Sequence, residues 1–163
     1  FCVSAGRDGC PRIRTRGARA IGEASARPLA AAGSRVVIAD LNEERGTEVA
    51  SELGGLFVKC DVSSTEDAET AVAAASEMGP LRALVNSAGL GFAGRTIDRN
   101  NEPMDLEKFR FVINVNLIGS FNMLSRAAGA MAQTEPVDDD GTRGAIVNMA
   151  SAAAFDGQIG QCA

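Results

Sequence analysis

Small residues cluster in a turn at residues 15–22, Thr-Arg-Gly-Ala-Arg-Ala-Ile-Gly, and an alanine-rich segment that predicts a helix over 20–32 follows. Glycines such as Gly17 and Gly22 leave backbone N–H groups free to hold a phosphate at the positive end of a helix dipole. Asp40 ends the apolar strand predicted next. An acid placed roughly 20 residues after such a turn can hydrogen-bond a ribose hydroxyl. Turn, helix, strand and acid in this order indicate the first half of a dinucleotide-binding βαβ unit.

Predicted strands and helices alternate along the rest of the chain. Ser63 and Glu66 have the spacing of a capping box, which predicts a helix that stops before Gly79. This alternation favours a parallel sheet with helices on both faces, an α/β fold of the doubly wound type, and one domain over residues 1–163. The remaining predicted elements are helices at 43–53 and 105–133, strands at 56–60, 81–85 and 145–149, a loop at 90–104 and a tail at 151–163 with no further element.

The first strand is the least regular part of the prediction. A central strand needs a nearly continuous apolar run, but residues 1–14 include Pro11, Arg12 and Arg14. Each charge buried without a partner would cost several kcal/mol, and proline removes a ladder hydrogen bond. We therefore expect either a short, irregular strand centred near Ile13 or an N-terminus that is damaged relative to those of related proteins. Pro28 is expected to kink the helix that follows.

Composition excludes several classes of function. The net charge is −5 and no basic cluster with interleaved aromatic residues is present, which argues against a nucleic-acid partner. No apolar run approaches the ~18 residues of a membrane span. The chain has no histidine, and its four cysteines show no Cys-x-x-Cys spacing, so we expect no metal site, free thiols and a cytoplasmic location.

Six segments in order resemble the short-chain dehydrogenase/reductase family, and the resemblance runs from about residue 12 to residue 163. The fold that it implies is a Rossmann-like, three-layer α/β/α sheet, incomplete at its C-terminal end. Within the family, residues 86–96 and 142–163 are most similar to the type-2 3-hydroxyacyl-CoA dehydrogenases, which also oxidise hydroxysteroids. The six segments are residues 15–22, Asp40, 61–62, 86–89 (Asn-Ser-Ala-Gly), Asn114–Gly119 and 146–151.

The resemblance implies NAD as cofactor and assigns residues to each part of it. Asp40 would bind the adenosine ribose hydroxyls and repel a 2′-phosphate, which favours NAD over NADP. The turn around the pyrophosphate would be formed by Thr15, Gly17, Arg19, Ile21 and Gly22, the adenine contact by Asp61 and Val62, and the lining near the nicotinamide-side ribose by Ser87, Ala88 and Gly89.

The resemblance also implies positions for the substrate, a secondary alcohol or ketone. Asn116 would hold a proton-relay water, and Ser151 would hydrogen-bond the substrate oxygen. Gln158 and Gln161 fall where relatives contact substrate. The outer face of the 105–133 helix would support pairing with a second copy, giving a homo-oligomer.

Four of these residues also have purely structural interpretations. Asp40 could cap the next turn, and Asp61 could simply precede a helix cap. Asn116 could be an ordinary polar residue of its helix. Ser151 could serve only turn chemistry.

The sequence departs from the family at its glycine turn. Arg16 and Ala20 stand where the family has glycines, which allow positive φ and close approach of the backbone to phosphates. Arg16 places a bulky side chain in the approach path, although its charge could partly compensate by contacting phosphate. We expect weaker NAD binding than is typical of the family.

The family's acid–base pair is also missing from these residues. Its general base is a tyrosine helped by a lysine, and that tyrosine would fall immediately after Ala163. The chain contains no tyrosine, and its last lysine is Lys108. General acid–base catalysis typically contributes ~10²–10⁴ in rate, so we expect these residues alone to form a catalytically inactive fragment.

Two alternatives to the dehydrogenase hypothesis remain at the sequence level. One is a non-catalytic nucleotide-binding module or the product of a degraded gene, which the departures at Arg16, Ala20, Pro11 and Pro28 favour. The other is a flavodoxin-like binding domain, which has the same order of elements but does not need the 86–89 segment or Asn116.

Overall fold

Five parallel strands form one sheet, with strand order β3-β2-β1-β4-β5. The computed structural model describes residues 9–18 and 20–163, and only the backbone of Ala20. Strand order reverses between β1 and β4, so a crevice opens at the carboxyl ends of these two strands. The strands are β1 (Pro11–Thr15), β2 (Arg35–Asp40), β3 (Leu56–Lys59), β4 (Ala83–Asn86) and β5 (Ala145–Asn148).

Helices cover both faces of the sheet. On one face, α1 and α2 pack through Ala26, Val49 and Ala50 against β2. On the other face, α3 and α5 bury small and apolar side chains against β1, β2 and β4. The predicted doubly wound, Rossmann-like parallel sheet is confirmed. The helices are α1 (Ala20–Ala31), α2 (Glu43–Glu52), α3 (Thr65–Glu77), α4 (Leu106–Ile113), α5 (Ser120–Ala132) and α6 (Ala153–Asp156), with a π-helical segment, Asn114–Gly119, joining α4 to α5.

Strand β1 is regular, and the prediction of an irregular strand was wrong. It pairs with β2 over its whole length and with β4 over three residues, so Ile13 lies between Val37 and Leu84. Pro11 is its first residue, a position that tolerates proline in a strand. Arg14 is 1% exposed, and its guanidinium donates to the carbonyl oxygens of Ile21 and Gly22, each at 3.2 Å. Hydrogen bonds to helix α1, rather than a carboxylate, hold this buried cation.

The start of helix α3 is capped one residue later than predicted. Ser64, not Ser63, is the N-cap, and its hydroxyl accepts from the backbone N–H of Asp67 at 3.2 Å. Asp67 in turn accepts from the N–H of Asp61 at 2.8 Å. This aspartate does not close a capping box, because its bond goes to Asp61 rather than to the N-cap residue, but it ties the segment after β3 to the helix.

The long helix predicted over 105–133 is continuous in its backbone but changes phase in the middle. The π segment adds residues to one turn, so the apolar positions on its two sides do not face the same way. Met123 and Ala127 are buried, whereas Leu117 and Phe121 are 60% and 65% exposed. Leu117 and Phe121 therefore do not contribute to the core, although they belong to the apolar pattern of the predicted helix.

The tail contains a helical turn that the sequence did not predict. Residues of α6 follow β5, and Gly157 ends the turn with a φ of +68°. The N–H of Gly94 donates to the carbonyl of Gly160 at 2.8 Å, which attaches the tail to the 90–104 loop. Among the described residues, none of the helices combines the length and apolar character that a membrane crossing needs.

Candidate functional site

The glycine turn after β1 is built so that two of its positions require glycine. A Cβ on Gly22 would lie 1.9 Å from the carbonyl oxygen of Arg16. A Cβ on Gly17 would lie 2.9 Å from side-chain carbons of Ile38. The first helix therefore packs directly against the turn, as a phosphate-binding turn requires.

Thr15 ties this turn to the segment after β4. Its hydroxyl oxygen accepts from the N–H groups of Ser87 and Ala88 at 2.8 and 3.0 Å, and the Ser87 hydroxyl donates to the carbonyl of Thr15 at 2.6 Å. Thr15 is fully buried, so it supports the crevice from behind. These bonds bring together two predicted segments that are distant in sequence.

Asp40 lies at the mouth of the crevice. One carboxylate oxygen accepts from the N–H of Ala18 at 3.1 Å, and the other accepts from the N–H of Asn42 at 2.9 Å. The second bond is the turn-capping contact that the structural interpretation expected. The first bond places the carboxylate beside the glycine turn, where the ribose hypothesis requires it.

A small cavity of about 250 Å³, called here the Asp40 cavity, lies next to this carboxylate, and Asp61 and Val62 help to line it. Asp61 also accepts from the N–H and hydroxyl of Ser63 at 2.9 and 2.7 Å. Burial and the nearby acids, Asp67 first among them, raise the pKa of the Cys60 thiol in the same lining to about 12. That thiol is therefore protonated and unreactive at neutral pH.

A larger cavity of about 900 Å³, called here the Ser151 cavity, lies on the other side of the turn. Its lining includes six of the predicted positions outside the turn, namely Ser87, Ala88, Gly89, Asn116, Ser151 and Gln161. Gln158 is exposed and does not line either cavity.

The Asn116 and Ser151 side chains are already engaged in local contacts. Asn116 accepts from the N–H of Leu90 at 2.9 Å and donates to the carbonyl of Leu90 at 2.8 Å. Ser151 accepts from the N–H of Ala153 at 3.2 Å, as in an ordinary turn. Leu90 was not identified from the sequence, because its residue type does not indicate that the Asn116 side chain will hydrogen-bond its backbone.

One residue of the predicted turn contributes differently from expectation. The Ile21 side chain is 57% exposed and lines neither cavity, although its carbonyl accepts from the guanidinium of Arg14. Arg19 lies outside the described residues.

Arg16 crosses the crevice between the two cavities. Its φ of +50° lies in the left-handed region, which a side chain other than glycine rarely adopts. Its guanidinium donates to the carbonyl oxygen of Gly89. Both cavities are lined by Arg16, Ala88, Gly89 and Leu90. The side chain therefore stands at the passage that joins them.

Comparison with known proteins identifies relatives of almost the whole chain. The profile of a family described as "short chain dehydrogenase" matches residues 13–163. The chain is 47% identical over 153 residues to "3-hydroxyacyl-CoA dehydrogenase type-2" of Drosophila melanogaster, covering 91% of this chain and 60% of that protein. It is 40% identical over 159 residues to the protein of the same name from Homo sapiens, covering 95% of this chain and 60% of that protein.

A solved structure has the same fold. The crystal structure of 3-hydroxyacyl-CoA dehydrogenase type-2 from Mycobacterium avium superposes with a TM-score of 0.90 at 38% sequence identity, covering 98% of this chain and 63% of that one. The present chain thus spans about 60% of the length of the curated relatives that it matches.

Proposed function

The chain belongs to the short-chain dehydrogenase family, and from this premise we propose that its crevice holds NAD. The activity that we propose for the whole protein is hydride transfer between NAD and a secondary alcohol such as a 3-hydroxyacyl-CoA or a hydroxysteroid. The names of its relatives support the 3-hydroxyacyl-CoA substrate. The observation that carries the proposal is the Asp40 carboxylate, 3.1 Å from the N–H of Ala18 at the glycine turn.

The residues present fit NAD with one exception. Gly17 and Gly22 leave no room for side chains where the helix meets the turn, and Asp40 stands where ribose hydroxyls can be bound. A cavity on each side of the turn supports two separate nucleotide halves. The exception is the Arg16 side chain, which must leave the passage before a dinucleotide can span it.

Each part of the chain would then have a distinct task. Bound NAD supplies the acceptor of the hydride. Asp40 would orient the adenosine ribose and disfavour a 2′-phosphate through like-charge repulsion. The Ser151 hydroxyl oxygen accepts from the N–H of Ala153, so its own hydrogen would be free to donate to a substrate oxygen. Asn116 would hold the loop at Leu90 with one N–H and one lone pair of its amide, and the second N–H and second lone pair would remain to position a relay water.

A second function is favoured by one specific observation. The 163 residues contain no tyrosine, and the described crevice is crossed by a cation. A polypeptide of these residues alone would bind nucleotide without catalysing hydride transfer. Alcohol-dependent formation of NADH by the purified 163-residue chain, followed by its absorbance, would contradict this second proposal.

The test of the cofactor assignment is the substitution Asp40→Asn. Calorimetric titration of the unchanged chain should show tighter binding of NAD than of NADP. Asp40→Asn should lower that preference about tenfold, because it removes the charge that opposes a 2′-phosphate. The ratio is informative even if the variant binds both cofactors more weakly through loss of the contact with Ala18. Asp139→Asn, in an exposed loop, is the matched control and should leave the ratio unchanged. An unaltered ratio in Asp40→Asn would refute the ribose assignment.

We also propose that the protein forms a homo-oligomer. Four large apolar side chains on α4, the π segment and α5 are exposed, which is typical of a surface that is covered in an assembly. They are Phe111, Leu117, Ile118 and Phe121, at 59%, 60%, 49% and 65% exposure.

We also propose a cytoplasmic location, which is supported by the free thiols of Cys10, Cys60 and Cys162. Cell fractionation tests it.

A further inference from the structure

Arg16 divides the crevice into two compartments that a dinucleotide must occupy together. The Asp40 cavity holds the acids Asp40 and Asp61, and the Ser151 cavity lies beyond the Gly89 carbonyl. Because the guanidinium of Arg16 donates to that carbonyl, its side chain fills the passage between them. A ligand confined to the Asp40 cavity can bind while this side chain stays in the passage, whereas NAD cannot.

The Asp40 cavity has opposite charges at its two ends. Carboxylates lie at the end near β2 and β3, and the guanidinium of Arg16 lies at the end that opens toward Gly89. An adenine nucleotide has matching polarity, with hydroxyls that donate to carboxylates at its ribose and anionic oxygens at its phosphate end. A phosphate is also a stronger partner for a guanidinium than a neutral carbonyl is, because both groups are charged.

We propose that Arg16 makes this crevice selective for an adenine nucleotide that ends in a phosphate, such as ADP, over the full dinucleotide. The inference rests on the proposed function, since it takes the Asp40 cavity as the adenosine site. In the ADP complex the guanidinium exchanges the Gly89 carbonyl for the terminal phosphate and stays in the passage. NAD continues through the passage, so the side chain must leave it.

The substitution Arg16→Gly is expected to shift the Kd for NAD and the Kd for ADP in opposite directions. Removing the side chain opens the passage, so the Kd for NAD should fall about fivefold. It also removes the cation at the phosphate end, so the Kd for ADP should rise about tenfold, within the range of a hydrogen bond between charged groups. A merely structural disturbance of the turn would shift both affinities in the same direction.

Arg16→Ala is the second variant, because it removes the guanidinium but leaves a side chain at the left-handed φ of +50°. In both variants we expect a crossed shift, meaning a lower Kd for NAD together with a higher Kd for ADP. It is measured by calorimetric titration of the 163-residue chain with ADP and with NAD. A crossed shift in Arg16→Gly alone would assign the effect to the backbone and overturn the inference. Shifts of the same sign, or no shift, would also overturn it while leaving the cofactor assignment intact. Failure of both ligands to bind the unchanged chain and both variants would overturn the proposed function as well.

Discussion

Replacing Arg14 by methionine is expected to stabilise the fold. Arg14 lies in the central strand at 1% exposure, and its charge is met by the carbonyls of Ile21 and Gly22 and by the Ser25 hydroxyl rather than by a carboxylate. Its Nε atom is buried without a hydrogen-bond partner. Methionine fills a similar volume and removes the charge.

The magnitude follows from the burial of this cation. Desolvation lowers the pKa of Arg14 to about 10, well below the ordinary value for arginine. At about 1.4 kcal/mol for each tenfold change in protonation, burial disfavours the charged form by roughly 3 kcal/mol at neutral pH. The hydrogen bonds lost with the guanidinium offset part of this gain. The offset is limited because the carbonyls of Ile21 and Gly22 belong to helix α1 and also accept from its backbone N–H groups. We expect a net increase of about 1–3 kcal/mol in the free energy of unfolding.

The measurement is urea unfolding followed by circular dichroism, with thermal melts in parallel. Each kcal/mol should raise Tm by about 2–4 °C for a chain of this size. Below about pH 10 the arginine is protonated in both the folded and unfolded chains, so the gain should not vary between about pH 6 and pH 9. Arg99→Met, at an exposed position, is the control and should change stability by less than about 0.5 kcal/mol. A loss above about 1 kcal/mol in Arg14→Met, with the melt still cooperative, would show that the hydrogen bonds outweigh the desolvation and refute the reasoning.

Three further predictions address the crevice, a buried thiol and the exposed apolar face. Gly22→Ala would place its Cβ 1.9 Å from a carbonyl oxygen of the turn, so it should abolish NAD binding in calorimetry and lower the free energy of unfolding by about 3 kcal/mol. Gly129→Ala, with open space around its Cβ, should instead raise the free energy of unfolding by about 0.5–1 kcal/mol. Burial raises the pKa of Cys60 to about 12, so iodoacetamide at about pH 8 should label exposed Cys162 well before Cys60, as read by peptide mass spectrometry. Equal labelling of Cys60 and Cys162 would contradict this prediction. Because the folded chain holds the Cys60 proton more tightly than the unfolded chain, the contribution of Cys60 to stability should decline above about pH 9. Phe121→Glu should convert an oligomer to monomers in light scattering, and an unchanged mass would exclude this face as the interface.

Much of the architecture could be predicted because its signals are local. The order of strands and helices follows from short apolar runs, glycines at helix ends and capping residues, each of which acts within a few positions. Asp40 was predicted to face a ligand from its place at the end of a strand, and in the structure its carboxylate accepts from the N–H of Ala18 in the turn at 3.1 Å.

The misplaced elements have a common physical cause. The one-residue shift of the α3 cap depends on Asp67, whose carboxylate is held by the backbone of Asp61. The exposure of Leu117 and Phe121 depends on a π turn, and nothing in periodicity alone indicates where a helix will gain a residue. In neither case do residue type and periodicity alone choose between the local alternatives.

By itself, the sequence determined the family, the order of elements and the residue types at the crevice. Only the tertiary structure decided how Arg14 could be buried in β1 and what Arg16 does in the crevice. Arg14 is tolerated because the carbonyls of helix α1 surround it. Arg16 reaches a carbonyl 73 residues away, at Gly89, and parts one cavity from another. A long, flexible cation can satisfy its hydrogen bonds in many ways, and which of them it adopts depends on groups that only folding brings within reach.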